Sequence, residues 1–312
     1  MKREQYRGTL AQIPVYLGKF LRMFIYQSDW KVLPMAAIIA ALVTFVTGQN
    51  LFVTQEGTLT GSFALVCVCI WNGFFNSIQV VCRERQIVKR EHRAGMHISA
   101  YIGAHMIYQF LLCLAQTLIT IGVCRMASVK IPEKGLITPW GTIDLMISIF
   151  LITYASDIMS LAVSCIVNNT TTAMTVMPFL LIVQLVFSGG FFQLTGFAEK
   201  LTLLTVSRWG LQSLGTIGNY NALPMVTLWN TIFKFKDMEI NGSKPIYEVI
   251  RLIEKEGKVG DTLQFSGAYN QNPMYEYTVA NLACCWLLLL VFIVIFAVVS
   301  IIALKLVDRD SR

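Results

Sequence analysis

Five stretches of this chain, residues 32–55, 57–82, 94–124, 158–198 and 277–304, contain no Asp, Glu, Lys or Arg. About 18 consecutive apolar residues cross a hydrocarbon layer roughly 30 Å thick, so runs of this kind leave a polytopic membrane protein as the expected class. Soluble domains carry roughly 25% charged residues. Here the charged share is 14% and the hydrophobic share 55%. A pI near 9.0 would ordinarily raise nucleic-acid binding, but the basic residues flank the apolar runs, where they serve topology. No nucleic-acid partner is expected; the partner implied directly is the lipid bilayer. The opening Met1-Lys-Arg-Glu-Gln-Tyr-Arg is charged, and Pro14, Lys19 and Arg22 break the run after it. That is not a cleavable leader, and the first span is expected to act as its own insertion signal.

Backbone groups in lipid must be satisfied within the segment or a closed barrel. The runs are too long for barrel strands and show no period-two alternation. The fold class expected is therefore all-α, with six transmembrane helices over 32–47, 62–82, 99–126, 142–167, 171–191 and 277–304. Asn168-Asn169-Thr170 alone separates the fourth from the fifth, predicting a tight hairpin. Ahead of the spans, Ile13, Leu17, Phe20, Leu21 and Phe24 share one helical face, with Lys19 and Arg22 elsewhere. That pattern predicts an interfacial helix lying along the membrane.

Six spans put both ends of the chain on one side. The N-terminal segment, the turn after the second span and the C-terminus hold 14 of the 25 Lys and Arg and carry +8, against +1 on the opposite side. The positive-inside rule makes the termini cytoplasmic, as expected of a multi-pass protein of the cell membrane. Lys130 and Lys134 run weakly against it. The long outer segment, 192–276, carries eight basic and eight acidic residues, and long segments translocate regardless of charge. Its first half, with Phe197, Leu201, Leu204, Trp209 and Leu211 among Glu199, Lys200 and Arg208, suits a helix re-entering or lying on the outer leaflet. Residues 219–272 have Gly, Pro and strand-like pieces, predicting a small outward-facing cap.

The eight cysteines all lie in or beside spans, which excludes a disulfide-stapled outer domain and favours small packing residues. Asn241-Gly-Ser is a glycosylation sequon on the outer side. Catalysis finds no purchase. There is no G-x-x-x-x-G-K-[ST], so this chain is expected to bind no nucleotide or other cofactor itself. Ser188-Gly189-Gly190 lies at the opposite end of the spans from His92, His97 and His105, and no H-E-x-x-H offers a metal site. An enzyme working alone is not expected.

The turn after the second span is the most informative stretch. Over 83–96, Glu84 and Glu91 stand seven apart on one helical face among five Lys and Arg, and Gly95 offers a stop before the third span. The residues alone allow a solvated positive-inside turn or a short amphipathic helix that docks a cytoplasmic partner. Glu84-Arg85, Arg90-Glu91 and Ala94-Gly95-Met96 resemble the first cytoplasmic loop of ABC-2 type permeases, specifically of the ABCG-like (white/pleiotropic drug resistance) transmembrane domain. Val88 stands where that family usually has an aromatic residue. Tyr16–Arg22 with Ser28-Asp29-Trp30, the 155–164 run around Asp157, and Leu185-Val-Phe-Ser188-Gly189-Gly190-Phe191-Phe192 are similar to the family's segments in the same order. The likeness covers most of the chain and thins out over 219–272.

The resemblance implies a single ABC-2 type transmembrane domain over 1–312, a half-transporter that pairs with a second permease copy or homologue as a homo- or heterodimer. It implies an ABC ATP-binding subunit carrying the ATP and Mg. Because the chain starts at Met1 without such a domain, that ATPase is expected on a separate chain, and cysteine-free outer residues favour a bacterial source. Residues 1–31 would form the tail and connecting helix, 83–96 the coupling helix, and 192–276 the re-entrant and extracytoplasmic segment. Coupling is expected of Glu84, Arg85, Arg90 and Glu91, with Arg22 or another base pairing one of the acids.

In the second span, Asn72, Asn76 and Gln79 make a polar stripe. Amides in a span face protein or water, so the stripe either bonds neighbouring helices or lines a substrate route. In the family such a route lies between the second and fifth spans of both halves. Trp71 and Phe75 would add aromatic contacts; Thr171, Thr175, Pro178, Gln184 and Ser188 would form the opposing wall; Leu185, Val186 and Phe187 would form an apolar gate. Asp157, the acid deep in a span, is expected to bond across helices, and Asp144 to be solvated. The function implied is an ATP-driven exporter permease; the alternative is a non-transporting membrane anchor or scaffold for an ABC-type ATPase complex.

Overall fold

Helix boundaries in this chain follow its polar punctuation. The computed structural model describes residues 8–26, 29–47, 50–190, 196–225, 232–239, 242–258 and 271–309; among them the regular elements are all helices, and β-structure is limited to isolated bridge residues such as the Lys134–Trp140 pair. The helices that matter here are α1 Thr9–Tyr26, α2 Val32–Thr47, α3 Gln55–Ser77, α4 Val80–Arg93, α5 Ile98–Met126, α6 Gly141–Ile166 and α7 Thr170–Val186. They are followed by α8 Phe197–Thr202, α9 Val206–Ile217, α10 Pro245–Lys255 and α11 Val279–Arg309. Ser28, Phe191, Phe192 and the sequon residue Asn241 lie outside the described residues.

Among the described residues four helices are long and apolar enough to cross a membrane: α3 taken with α4, α5, α6 and α11. The chain is a membrane protein on that ground. Of the six spans expected, α2 and α7 are shorter, at 16 and 17 residues, or roughly 25 Å at 1.5 Å per residue. Two boundaries differ from expectation. The second span begins at Gln55 rather than 62, because Thr54 caps it by accepting the Gly57 N–H at 3.1 Å. The fifth ends at Val186 rather than 191, where the chain turns at Phe187 and Gly189 takes a φ of +73° that favours glycine.

The core is built around α6, which is buried on nearly every face between Ser148 and Cys165 because α3 and α11 pack along it. Small residues permit this. A Cβ on Gly73 would sit 2.5 Å from the Thr153 carbonyl oxygen, and Ser160 Oγ donates to the Phe74 carbonyl at 2.9 Å. Helix α1 lies along α5, with Phe20 and Tyr16 edge-on to Tyr101 at centroid distances of 5.7 and 5.9 Å.

Three outer features depart from expectation. Asp144 is not solvated but fully buried, accepting the N–H groups of Leu136, Ile137 and Thr138 at 2.6, 3.1 and 3.0 Å. The turn before α6 thus folds around its carboxylate, which completes three backbone donors that would otherwise be stranded. Trp209 and Leu211 belong to α9, which is buried along most of its length against α3, α6 and α11, so of the two arrangements expected, re-entering or lying on the outer leaflet, the surface one does not hold for this helix. Within 219–272, where strand-like pieces were expected, the 245–255 stretch is the helix α10. Pro245 starts it, Glu248 sits in its first turn and Lys255 in its last, all favourable at those positions.

Candidate functional site

At one end of the bundle, α4 continues α3 after a break at Ile78-Gln79. Its first N–H groups have no partner within the helix, and α6 supplies one: Ser164 Oγ accepts from Val81 and Cys82 at 3.1 and 3.2 Å. The Arg85 guanidinium donates to the Val167 carbonyl at the end of α6. Val88, where an aromatic residue was the family expectation, is packed into the interior at 2% exposure.

From the other flank α1 closes on the same helix. Lys19 Nζ lies 3.4 Å from Glu84 Oε2 and 3.6 Å from Glu91 Oε1, so one ammonium bridges both acids on the shared face. The base that pairs the acids is therefore Lys19, while Arg22, one turn on, is exposed. Gln12 adds a polar grip on the turn after α4, donating to the Gly95 carbonyl at 3.2 Å and accepting the His97 N–H at 2.9 Å. Gly95 itself has a φ of +104°, a conformation that excludes most side chains from the turn. The Tyr16 phenol is pushed up to about 12, first by burial and then by the neighbouring Glu91 carboxylate, so it stays a neutral group in this junction.

With its acids turned inward, α4 presents Arg83, Gln86, Ile87 and Arg90 to the outside. The arrangement is a short helix with a basic outer surface carrying one apolar residue, fastened to α1 by charge and to α6 by caps.

On α3 the structure divides the expected stripe. Asn72 and Asn76 are buried, whereas Trp71 and Phe75 are 43% and 44% exposed with ring centroids 5.4 Å apart. Asn76 exchanges two amide hydrogen bonds with Gln116 of α5, at 2.9 and 3.0 Å. Gln109, one and a half to two turns earlier on α5, donates to Ser77 Oγ at 2.8 Å. The amides at 72 and 76 are thus inside one chain, and the outward surface of α3 at this height is aromatic. Gln79 sits partly exposed at the break between α3 and α4.

Helix α7 shows the same division. Thr175 is exposed and its hydroxyl donates to the Thr171 carbonyl at 3.0 Å. Gln184 is buried; its side chain accepts the Ser207 N–H at 3.1 Å and its carbonyl accepts the Ser207 hydroxyl, which fixes α7 to the start of α9. Ser188 is buried too, donating to the Leu185 carbonyl at 2.8 Å and accepting the Gly190 N–H at 3.3 Å. Leu185, Val186 and Phe187 are half-buried in this junction, and the Phe187 carbonyl accepts the Thr205 hydroxyl at 3.1 Å.

Asp157 is fully buried and accepts from Cys113 Sγ of α5 at 3.4 Å. Cys113 is therefore a donor to a carboxylate rather than a packing residue alone. Sequence reasoning named Arg22 or another base without choosing Lys19, and passed over Ser164, Gln109 and Gln116 as partners. The two glutamines stand seven apart on α5 and form a polar stripe of the kind noticed on α3, so that signal was present.

A family model described as ABC-2 type transporter matches residues 20–211. Among curated proteins, the ABC transporter ATP-binding/permease protein Rv1747 of Mycobacterium tuberculosis is 24% identical over 143 residues, which is 45% of this chain and 16% of that protein. The chain thus matches a small part of that relative's length.

Proposed function

Since the chain belongs to the ABC-2 type transporter family, and is a transporter membrane subunit, we propose that it is the permease subunit of an ATP-driven exporter. ATP hydrolysis on a nucleotide-binding partner would drive α4 and α1 as one lever, and substrate would cross between α3 and α7 of two paired permeases in a cell membrane, both termini cytoplasmic. This chain supplies no nucleotide site in that scheme. Its contribution is mechanical and steric. The mycobacterial relative's name joins ATP-binding and permease functions in one protein, which supports a nucleotide-binding partner for the present permease.

The observation that carries the reading is the Lys19 bridge. It holds both acids of α4 inward, so that the surface left for a partner is basic with Ile87 at its centre. The exposed Trp71 and Phe75 support a second contact, with another permease copy. The test is co-purification with the ATP-binding subunit. Ile87→Asp and Arg90→Glu are expected to lose the ATPase while the permease still inserts and elutes as a folded species. An unchanged complex in both variants would overturn the assignment of α4 as the docking element.

A further inference from the structure

A cavity of about 280 Å³ opens beside Phe75 and runs into the interior of a single chain, between α1, α5 and the break that joins α3 to α4. Much of its lining is apolar, from Phe20, Met23, Leu112 and Met174. His105 of α5 also lines it. This side chain is 1% exposed, and neither ring nitrogen meets a hydrogen-bond partner among the described residues. Its ring faces are occupied: Phe20 lies across it at a centroid distance of 3.8 Å and Tyr101 stands edge-on at 4.8 Å. The rotamer is therefore held by aromatic packing, and the polar edge of the ring, which can accept and donate only in its own plane, is buried at the cavity wall without a partner among the described residues.

A buried polar group without a partner is costly, and such groups are few in native structures unless a water, ion or ligand completes them. The charges nearby do not select an ion. Glu84 at the cavity wall is paired with Lys19 at 3.4 Å, and Lys19 and Arg83 balance Glu84 and Glu91. What the site lacks is one hydrogen-bonding group that both donates and accepts. A neutral imidazole presents one N–H and one acceptor nitrogen, and a hydroxyl complements either.

We propose that this cavity binds a neutral, hydroxyl-bearing amphiphile, with its hydroxyl on His105 and its apolar body against Phe20, Met23, Leu112 and Met174. Phe75 and Met174 form an exposed rim, so the molecule enters from outside the helix bundle. Its mouth, between Phe75 of α3 and Met174 of α7, opens on the face proposed for the route between two permeases, while its polar end lies within one chain. Seated between α1 and α5, beside the Lys19 bridge, a bound molecule stiffens the same lever that the proposed function requires.

The test is photolabelling of the full chain in lipid nanodiscs with a diazirine-bearing long-chain alcohol, mapped by mass spectrometry. Label is expected on peptides carrying Leu112 or Met174. Unlabelled dodecanol should displace it about ten-fold better than dodecane, the discrimination of roughly one good hydrogen bond. His105→Phe keeps an aromatic of similar size and should abolish that preference; Leu112→Trp fills the apolar part and should abolish labelling without touching His105. Both variants are accepted only if their thermal midpoints stay near the parent's. Displacement by dodecanol alone assigns the ligand to the bilayer, and equal displacement by hexanol at equal aqueous activity assigns it to water; either supports the site. Label elsewhere, equal displacement by alkane, or an unchanged preference in His105→Phe overturns it. The assay contains no ATP-binding subunit, so its failure leaves the transport reading standing.

Discussion

Replacing Lys19 by Met is the sharpest perturbation of the proposed lever. The ammonium lies 3.4 and 3.6 Å from two carboxylates, with side-chain exposures of 30% for Lys19, 8% for Glu84 and 29% for Glu91. At an effective dielectric near 20, each pair has a gross attraction of about 5 kcal/mol, most of which is offset by desolvation, screening and side-chain entropy. The Glu91 pair, nearly a third exposed on both partners, should net no more than about 1 kcal/mol. Glu84 is different because it is almost fully buried. Leaving it uncompensated should bring the total for Lys19→Met to about 3 kcal/mol, at the lower edge of what unpaired buried charges cost.

That is enough to undock α1 from α4 much of the time without unfolding spans held by α6. In proteoliposomes with the ATP-binding subunit, ATP turnover should persist while substrate moved per ATP falls about ten-fold or more, following the same energy scale. Lys19→Arg should restore most of it. Hydrogen exchange should show α1 opening in the Met variant and staying protected in the Arg variant. Wild-type coupling in Lys19→Met with α1 unprotected would refute the lever; protection of α1 without its lysine would refute the energetic estimate.

Glu91→Lys should uncouple ATP turnover from transport while leaving the protein inserted, since the Lys19 ammonium would then face a second positive charge across the junction; normal transport would count against it. Asp144→Ala strands three backbone donors in the turn before α6 and should cost about 3 kcal/mol in thermal unfolding, with Asp144→Asn milder because one acceptor oxygen remains. Gly73→Ala should prevent close approach of α3 to α6 and lower the yield of folded protein sharply, whereas Gly122→Ala, with nothing within 4 Å, should be tolerated. Removing Asn76 and Gln116 together should cost less than the sum of the single changes, by about 1 kcal/mol, because each single variant leaves a buried amide unpaired. Cysteine at position 75 should form a disulfide between two copies under mild oxidation, and cysteine at buried position 74 should not; failure at 75 argues against paired permeases meeting along α3.

Much of this architecture was legible because membrane insertion is written in one dimension. Runs without charge, the Lys and Arg that flank them and the Asn168-Asn169 break depend on composition and order alone, so the helices of the expected spans, the break between α6 and α7 and the helix ahead of the first span could all be anticipated, although α7 packs on α3, α4 and α9 rather than back along α6 as a tight hairpin. The family likeness rested on the same local order, around Glu84, Arg90 and Gly95. What the sequence could not reveal was which way a polar group inside a span points, because periodicity defines a face but not its neighbour. Asn76 could bond a neighbouring helix or line a route, and its amide bonds Gln116; Gln184, expected on the opposing wall, bonds Ser207 within the chain. Arg22 looked as apt a partner for the α4 acids as Lys19, one turn earlier, until the crossing of α1 over α4 chose between them. Asp144 looked solvated until the turn before α6 wrapped its carboxylate in backbone N–H groups. Helix existence followed from the chain's local physics of burial, whereas pairing of polar groups was decided by contacts between residues far apart in sequence, which only packing brings together.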